Sequence, residues 1–171
     1  MKNYFVIVII LIAFTNTSCK KKTANDGYYC QNFDDLKMWT KDCPHITDAY
    51  AHSGRYSTFT NYENEYSQTF EMPYEFAKSK GYKKLKVSAW GYIENTTSKA
   101  SLVASVESSE KSFAREGIMF TEYLRGPNRW GKIVVRLNLP TDASKDSKIK
   151  VYCWSPDKQN AFLDDVEIEF N

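Results

Sequence analysis

The sequence predicts an all-β fold, an antiparallel jelly-roll β-sandwich, on three observations. The stretch Lys84–Glu94 (KLKVSAWGYIE) alternates strictly. Leu85, Val87, Ala89, Gly91 and Ile93 take one face, and Lys84, Lys86, Ser88, Trp90, Tyr92 and Glu94 the other, the pattern of a strand with one side on a core. Aromatics make up 15% of the chain, with 12 Tyr, 10 Phe and 4 Trp, residues that suit a pleated, half-buried surface. About nine or ten short extended segments follow one another between turn signals, with no convincing long helix, which is the layout of two packed antiparallel sheets. The 171 residues suffice for one domain with a sizeable core.

The first element is an export segment. Lys2 supplies a positive start, and Tyr4–Phe14 is an apolar run of eleven residues, too short to cross a hydrocarbon core of about 30 Å. Thr15-Asn16-Thr17-Ser18 and then Cys19 follow, and this order resembles a bacterial lipoprotein signal. The resemblance implies removal of residues 1–18 and lipidation of Cys19, with palmitate in the membrane anchor. Asn16 stands where the usual signal has Leu, so a secreted protein with Cys19 free or removed is the alternative. Residues 19–27 have no apolar periodicity and read as a solvated tether, whose Lys20, Lys21 and Lys22 suit an anionic headgroup surface. The folded domain is then residues 28–171.

Cys30, Cys43 and Cys153 remain in an oxidising compartment. Cys153 shares a strand face with Ile149 and Val151 and reads as a buried thiol. Cys30 and Cys43 are therefore the candidate disulfide, which spacing alone does not establish. Cys43-Pro44-His45 has no second ligand pair nearby and reads as a surface turn.

Tyr28–Asp34 reads as a short first strand, and Leu36–Thr40 as a less regular segment with Met38 and Trp39 packing. Ile46–Ala51 leads into a turn centred on Gly54. Tyr56–Asn61 and Glu65–Glu71 are strands joined by a polar run, and Pro73 ends the second. Tyr74–Lys78 makes one helical turn closed by Gly81. After Lys84–Glu94 come Ala100–Ser108 and the longer extended stretch Ser112–Leu124. A turn at Arg125–Arg129 precedes Trp130–Leu139. Lys148–Trp154 turns Ile149, Val151 and Cys153 inward and Lys148, Lys150, Tyr152 and Trp154 outward, and Ala161–Phe170 is the final strand.

Net charge is +2, with both signs interspersed, so no basic stripe for nucleic acid is present. The sequence has no fixed-period repeat. His45 and His52 are the only histidines, and no nucleophile elbow, phosphate loop, dinucleotide fingerprint or zinc spacing occurs. Asp164 and Asp165 are neighbours on one strand and are expected on opposite faces, which does not make a glycosidase pair. These features point away from an enzyme.

Four segments carry a family resemblance. Ala51–Ser57 (AHSGRYS), Lys86–Ile93 (KVSAWGYI), Trp130–Ile133 with Leu139-Pro140, and Phe162–Ile168 (FLDDVEI) resemble, in order, the motifs of galactose-binding-like β-sandwich modules. With the export signal, the chain resembles a surface or periplasmic lipoprotein of the Bacteroidetes group. The resemblance implies the jelly-roll fold over nearly the whole domain and is less specific for function, since the fold carries sugar binders and protein binders alike. It also implies a structural calcium, held by an Asp of the Asp164-Asp165 pair, by Asp34 in place of the usual Glu, and by backbone oxygens of the Ser53-Gly54 turn. The ligand set is then Asp34, Ser53, Gly54 and Asp165, able to offer the six to eight oxygens calcium takes. The alternative is that one Asp caps loop amides and the other is solvated.

Trp90 and Tyr92, and Tyr152 and Trp154, lie on the non-core faces of their strands. Lys86, Lys150 and Arg136 flank them if the two strands lie side by side. Flat rings match the apolar face of a sugar, and charged groups match its hydroxyl rim. The alternative is that loops such as Asp34–Ile46 cover the rings as a second small core. The sequence thus leads to a monomeric, non-catalytic, lipid-anchored glycan-binding or accessory module of the bacterial cell envelope, on the periplasmic face or outer-membrane surface. Its partner is a carbohydrate or a cell-envelope protein. A structural or protein-interaction lipoprotein without a sugar site is the other reading.

Overall fold

A computed structural model describes residues 27–34 and 44–171. The signal segment, Cys19, nearly all of the tether, the Leu36–Thr40 segment and Cys43 lie outside the described residues. Cys30 is exposed on the first strand and its thiol is free.

The elements run β1 (Tyr28–Gln31), β2 (Ile46–Thr47), β3 (Ser57–Thr60), β4 (Phe70–Pro73), α1 (Tyr74–Ser79), β5 (Lys84–Ile93), β6 (Ser101–Glu107), β7 (Ser112–Met119), α2 (Phe120–Tyr123), β8 (Gly131–Asn138), β9 (Lys148–Trp154) and β10 (Ala161–Phe170). Every pairing is antiparallel. A six-stranded sheet has the order β2-β3-β10-β5-β8, with β1 also on β10, and a four-stranded sheet has the order β4-β9-β6-β7. The fold is the all-β jelly-roll sandwich that the alternation and turn spacing predict.

The core lies between the sheets and follows the parity of the sequence. Leu85, Val87, Ala89 and Ile93 of β5 meet Leu102, Ala104 and Val106 of β6 and Ile149, Val151 and Cys153 of β9, all buried. Burial pushes the Cys153 thiol up to about 12, so it stays a neutral, inert packing group. Gly91 sits at a core position because a Cβ there would stand 2.5 Å from Ile133 Cδ1 and 2.9 Å from Phe120 Cε2.

Several boundaries differ from the expectation. Tyr66 makes only an isolated bridge to Trp154, and the regular strand begins at Phe70 and includes Pro73, which sits next to the first helical turn. The extended stretch after Ser112 ends at Met119, and Phe120 turns into α2 to fill the end of the core. The largest correction is in β10. The register slips between Asp164 and Glu167, and Asp165 adopts φ 46°, so one extra residue is accommodated there. Leu163 and Val166 both point into the core, and Asp164 and Asp165 both face the 52–53 turn. The two carboxylates are therefore on one face, where simple alternation places them on opposite faces.

Candidate functional site

The outer face of the six-stranded sheet carries Trp90 and Tyr92. The register sets Tyr92 beside Phe162, and Trp90 between Asp164 and Lys132. The residues that follow β2 fold over this row. Tyr50 stacks on Tyr92 at 4.7 Å and meets Phe162 edge-on at 4.9 Å. His52 lies flat on Trp90, with ring centroids 3.8 Å apart and planes 14° apart, and Trp130 closes against Tyr92 at 5.4 Å. Tyr92 is left 6% exposed. These rings form a second small core, as in the covered alternative, although its described cover comes from Tyr50, His52 and Trp130.

A hydrogen-bonded clamp holds the cover down. Asp164, fully buried, accepts the His52 and Ser53 amides on Oδ2 at 2.7 and 3.1 Å and the Asp165 amide on Oδ1 at 2.7 Å. Burial outweighs these three donors and pushes its carboxyl up to about 6. Asp165 Oδ1 accepts the Ser53 hydroxyl at 2.6 Å, and its Oδ2 lies 2.5 Å from His52 Nδ1. Asp34 Oδ1 accepts the Arg55 and Tyr56 amides at 2.9 and 3.2 Å. Gly54, at φ +60°, lets Asp34 approach, because a Cβ there would stand 1.6 Å from Asp34 Oδ2.

Asp34, Ser53, Gly54 and Asp165 are thus brought to one turn, but as a hydrogen-bonded unit. Asp34 Oδ1 and both Asp165 oxygens are engaged by N–H, O–H or imidazole groups of this turn. No group of three or more His, Cys, Asp or Glu side chains among the described residues is placed to hold a metal ion. The described geometry fits the alternative in which Asp164 caps loop amides, with the addition that Asp165 is bonded to the same turn.

The outer face of the four-stranded sheet is built differently. Its register sets Glu71, Lys150, Ser105 and Arg115 in one row across β4, β9, β6 and β7. The next row on this face holds Tyr152, Val103 and Gly117. The row after that holds Tyr66, Trp154, Ser101 and Met119. Rows two residues apart are about 7 Å apart, so the charged and aromatic rows are separated by roughly 14 Å. Two cavities meet at Arg115. One, of about 400 Å³, is lined by Tyr66, Glu71, Glu107, Arg115, Lys150 and Tyr152 among others. The second, of about 310 Å³, lies over Val103, Gly117 and Trp154. Val103 and Gly117 open the trench beside Tyr152 in the middle row, and a Cβ on Gly117 would meet nothing closer than Val103 Cγ2 at 3.5 Å.

The charges at one end of this groove are paired. Lys150 Nζ lies 2.8 Å from Glu107 Oε1 and 3.6 Å from Glu71 Oε1, and Lys148 Nζ lies 2.8 Å from Glu71 Oε2. The Lys148 hydrogen bond holds the Glu71 carboxyl below its usual range, and the Glu107 hydrogen bond raises Lys150. At the other end, Tyr66 is 44% exposed and Tyr152 forms an edge contact with it at 5.6 Å. Trp154 lies under the Arg115 guanidinium, 4.7 Å from the ring centroid, and its buried Nε1 has no hydrogen-bond partner. The Ser105 hydroxyl faces the Tyr152 side chain without reaching hydrogen-bond geometry.

The residues expected to form one binding platform divide between the two sheets. Trp90, Tyr92, Lys86 and Arg136 belong to the six-stranded sheet, where Lys86 is the register partner of Arg136 and pairs with Glu169 at 3.5 Å. Tyr152, Trp154 and Lys150 belong to the four-stranded sheet. β5 and β9 are in different layers, so the side-by-side arrangement is corrected and a single joint platform does not exist. The groove adds Tyr66, Glu71, Glu107 and Arg115, which sequence reasoning did not single out. The alternation of Phe113, Arg115, Gly117 and Met119 within the Ser112–Leu124 stretch was the available signal for Arg115.

No family model matches the chain, and no curated protein matches it in sequence. In fold it is similar to the CBM22-2 xylan-binding domain of Paenibacillus barcinonensis Xyn10C, with TM-score 0.54, 15% identity, and 84% of this chain and 99% of that one covered. It is also similar to the C-terminal family 22 carbohydrate binding module of Clostridium thermocellum Xyn10B, with TM-score 0.56, 17% identity and coverage of 86% and 95%. A further xylan-binding domain of that family superposes with TM-score 0.50 at 17% identity, covering 83% and 93%. At these identities the likeness is one of fold: the chain shares the jelly-roll architecture of family 22 carbohydrate-binding modules.

Proposed function

We propose that this protein is a non-catalytic, lipid-anchored glycan-binding module whose ligand lies along the outer face of the four-stranded sheet. The groove that joins Tyr66, Tyr152 and Trp154 to the paired charges of Glu71, Lys150 and Glu107 carries this reading. Tyr66, 44% exposed, offers the open stacking surface beside the buried Tyr152, and the polar row offers donors and acceptors for hydroxyl groups. The fold-level likeness to xylan-binding domains supports the reading and makes xylan the first ligand to try. Cys19, at the end of the export segment, supplies the anchor to the cell envelope.

Affinity electrophoresis through gels containing xylan and other plant or bacterial polysaccharides tests the groove. The wild type is retarded by at least one polymer, and Gly117→Val, which fills the trench at a position with room for a Cβ, is not. Equal retardation of both proteins would move the sugar site off this groove, and retardation of neither by any polymer would leave a structural or protein-interaction lipoprotein as the better reading. The anchor is tested separately: with the native signal in a bacterial host, labelled palmitate enters the wild type and not Cys19→Ala. Equal labelling would remove the lipid from the model of function.

A further inference from the structure

Arg115 is the distinctive charge in the groove. Lys150, the other cation lining the cavities, is held between Glu107 and Glu71. Arg115 lines both cavities and has no carboxylate within ion-pair distance among the described residues. Its guanidinium lies over the Trp154 ring, 4.7 Å from the centroid. A guanidinium carries five N–H donors, and none of those of Arg115 is in an ion pair with a described carboxylate, which leaves them for an acceptor.

The direction of the side chain matters. Arg115 leaves β7 in the row of Ser105 and Lys150 and reaches two rows along the sheet to Trp154. Glu107 stands one row away on the other side, beside Lys148 and Ser112. The free donors are therefore carried away from the nearest groove carboxylate and toward the aromatic end. An anionic group arriving there meets a cation that fits it bidentately, and the fixed negative charges are already neutralised by lysines.

We propose that the groove selects an acidic glycan, with the carboxylate of a uronic acid on Arg115 and a neighbouring sugar ring on the Tyr66 and Tyr152 side. This rests on the reading of the groove as a glycan site.

The test compares glucuronoxylan with the same polymer after its carboxyl groups have been reduced to hydroxymethyl groups, using isothermal titration on the purified protein. The expected result is about tenfold tighter binding of the native polymer at low salt, a charge-assisted gain. The preference shrinks at molar salt, where the screening length is about 3 Å. Arg115→Gln, an exposed position, keeps the melting temperature and loses the preference for the native polymer. Equal affinity of the wild type for the two polymers overturns the acidic selection and leaves the glycan site standing. A preference that survives in Arg115→Gln also overturns it. Binding to neither polymer overturns the glycan reading of the groove together with this inference.

Discussion

Trp90 and Tyr92 on β5, and Tyr152 and Trp154 on β9, stand at the same kind of position: outward-facing, near the end of a strand whose other face is core. On the six-stranded sheet the tryptophan is covered by an imidazole, and on the four-stranded sheet by a guanidinium. The covers differ in what holds them. His52 is fixed by Asp165 at 2.5 Å, and its own amide by Asp164 at 2.7 Å. Arg115 has no such anchor among the described residues and reaches its ring from an exposed strand position. Parity decides the face a ring occupies, and the polar contacts of its cover decide whether that face is core or binding surface.

The sharpest way to break this comparison is to truncate the ring on the clamped side. Trp90→Ala removes the surface on which His52 rests and is expected to cost about 3 kcal/mol of stability or somewhat more, in the range of large-to-small core changes. Chemical denaturation measures it, and folded Trp90→Ala protein should keep the glycan affinity of the wild type. A variant of normal stability that had lost binding would transfer the site to the six-stranded sheet.

The clamp itself gives the next effect. Asp164→Asn replaces one of two accepting oxygens by an amide and leaves a buried backbone donor facing another donor, a loss of about 1–3 kcal/mol. The pH dependence follows from the raised carboxyl, pushed to about 6 by burial. The folded state holds this proton more tightly than the unfolded chain. Its contribution is therefore fully present below about pH 4 and is lost as pH rises through about 6. Melting curves of the wild type should show that fall, and Asp164→Asn should flatten it. The same melting curves with millimolar calcium and with chelator test the calcium expected at Asp34, Ser53, Gly54 and Asp165: a rise in melting temperature supports it, and unmoved curves refute it.

The fold was legible because its signals are local. Period-two alternation in Lys84–Glu94 and Lys148–Trp154 depends only on neighbouring residues, and every inward position it names is buried, while the outward Ser88, Tyr92 and Tyr152 are buried by what lies over them. Pairing is non-local, and nothing in either segment says that β5 lies beside β10 and β8 while β9 lies beside β4 and β6. A joint platform was drawn from the first kind of information and needed the second. The β10 bulge was hidden for a related reason. A one-residue slip at Asp165 leaves the sequence pattern almost intact, yet it turns two carboxylates toward the same loop. The cover over Trp90 came from Tyr50 and His52, which sequence reasoning placed in or beside a turn; stacking depends on where that turn folds back.

On the open side, Tyr66→Ala sharpens the comparison through binding more than through stability. The ring is 44% exposed, so truncation should leave stability within about 0.5 kcal/mol, as surface changes do. Affinity for the bound polysaccharide should fall by about 1–3 kcal/mol if sugar stacking matches the stacking of other flat rings on aromatics. Titration and denaturation on the same preparation separate the two. A loss of several kcal/mol of stability would make Tyr66 a packing residue and the groove less open than its geometry indicates.

The smallest effect sets the charges of the two faces against each other. Glu71 is held below the usual carboxylate range, first by its hydrogen bond to Lys148. Its side chain is 40% exposed, so solvent screening keeps its worth within about 1 kcal/mol. The sign is opposite to that of Asp164. A lowered carboxyl contributes stability that is present above its unfolded value and is lost as pH falls through the folded one. Glu71→Gln should therefore cost less than about 1 kcal/mol at neutral pH, and the cost should vanish in acid. Asp164→Asn should instead lose a contribution that acid strengthens. Melting temperatures of the two variants and the wild type, taken from pH 3 to pH 8, would show the difference curves sloping in opposite directions. Parallel slopes would mean that the two carboxylates sit in similar surroundings, and the contrast between a clamped face and an open one would fail.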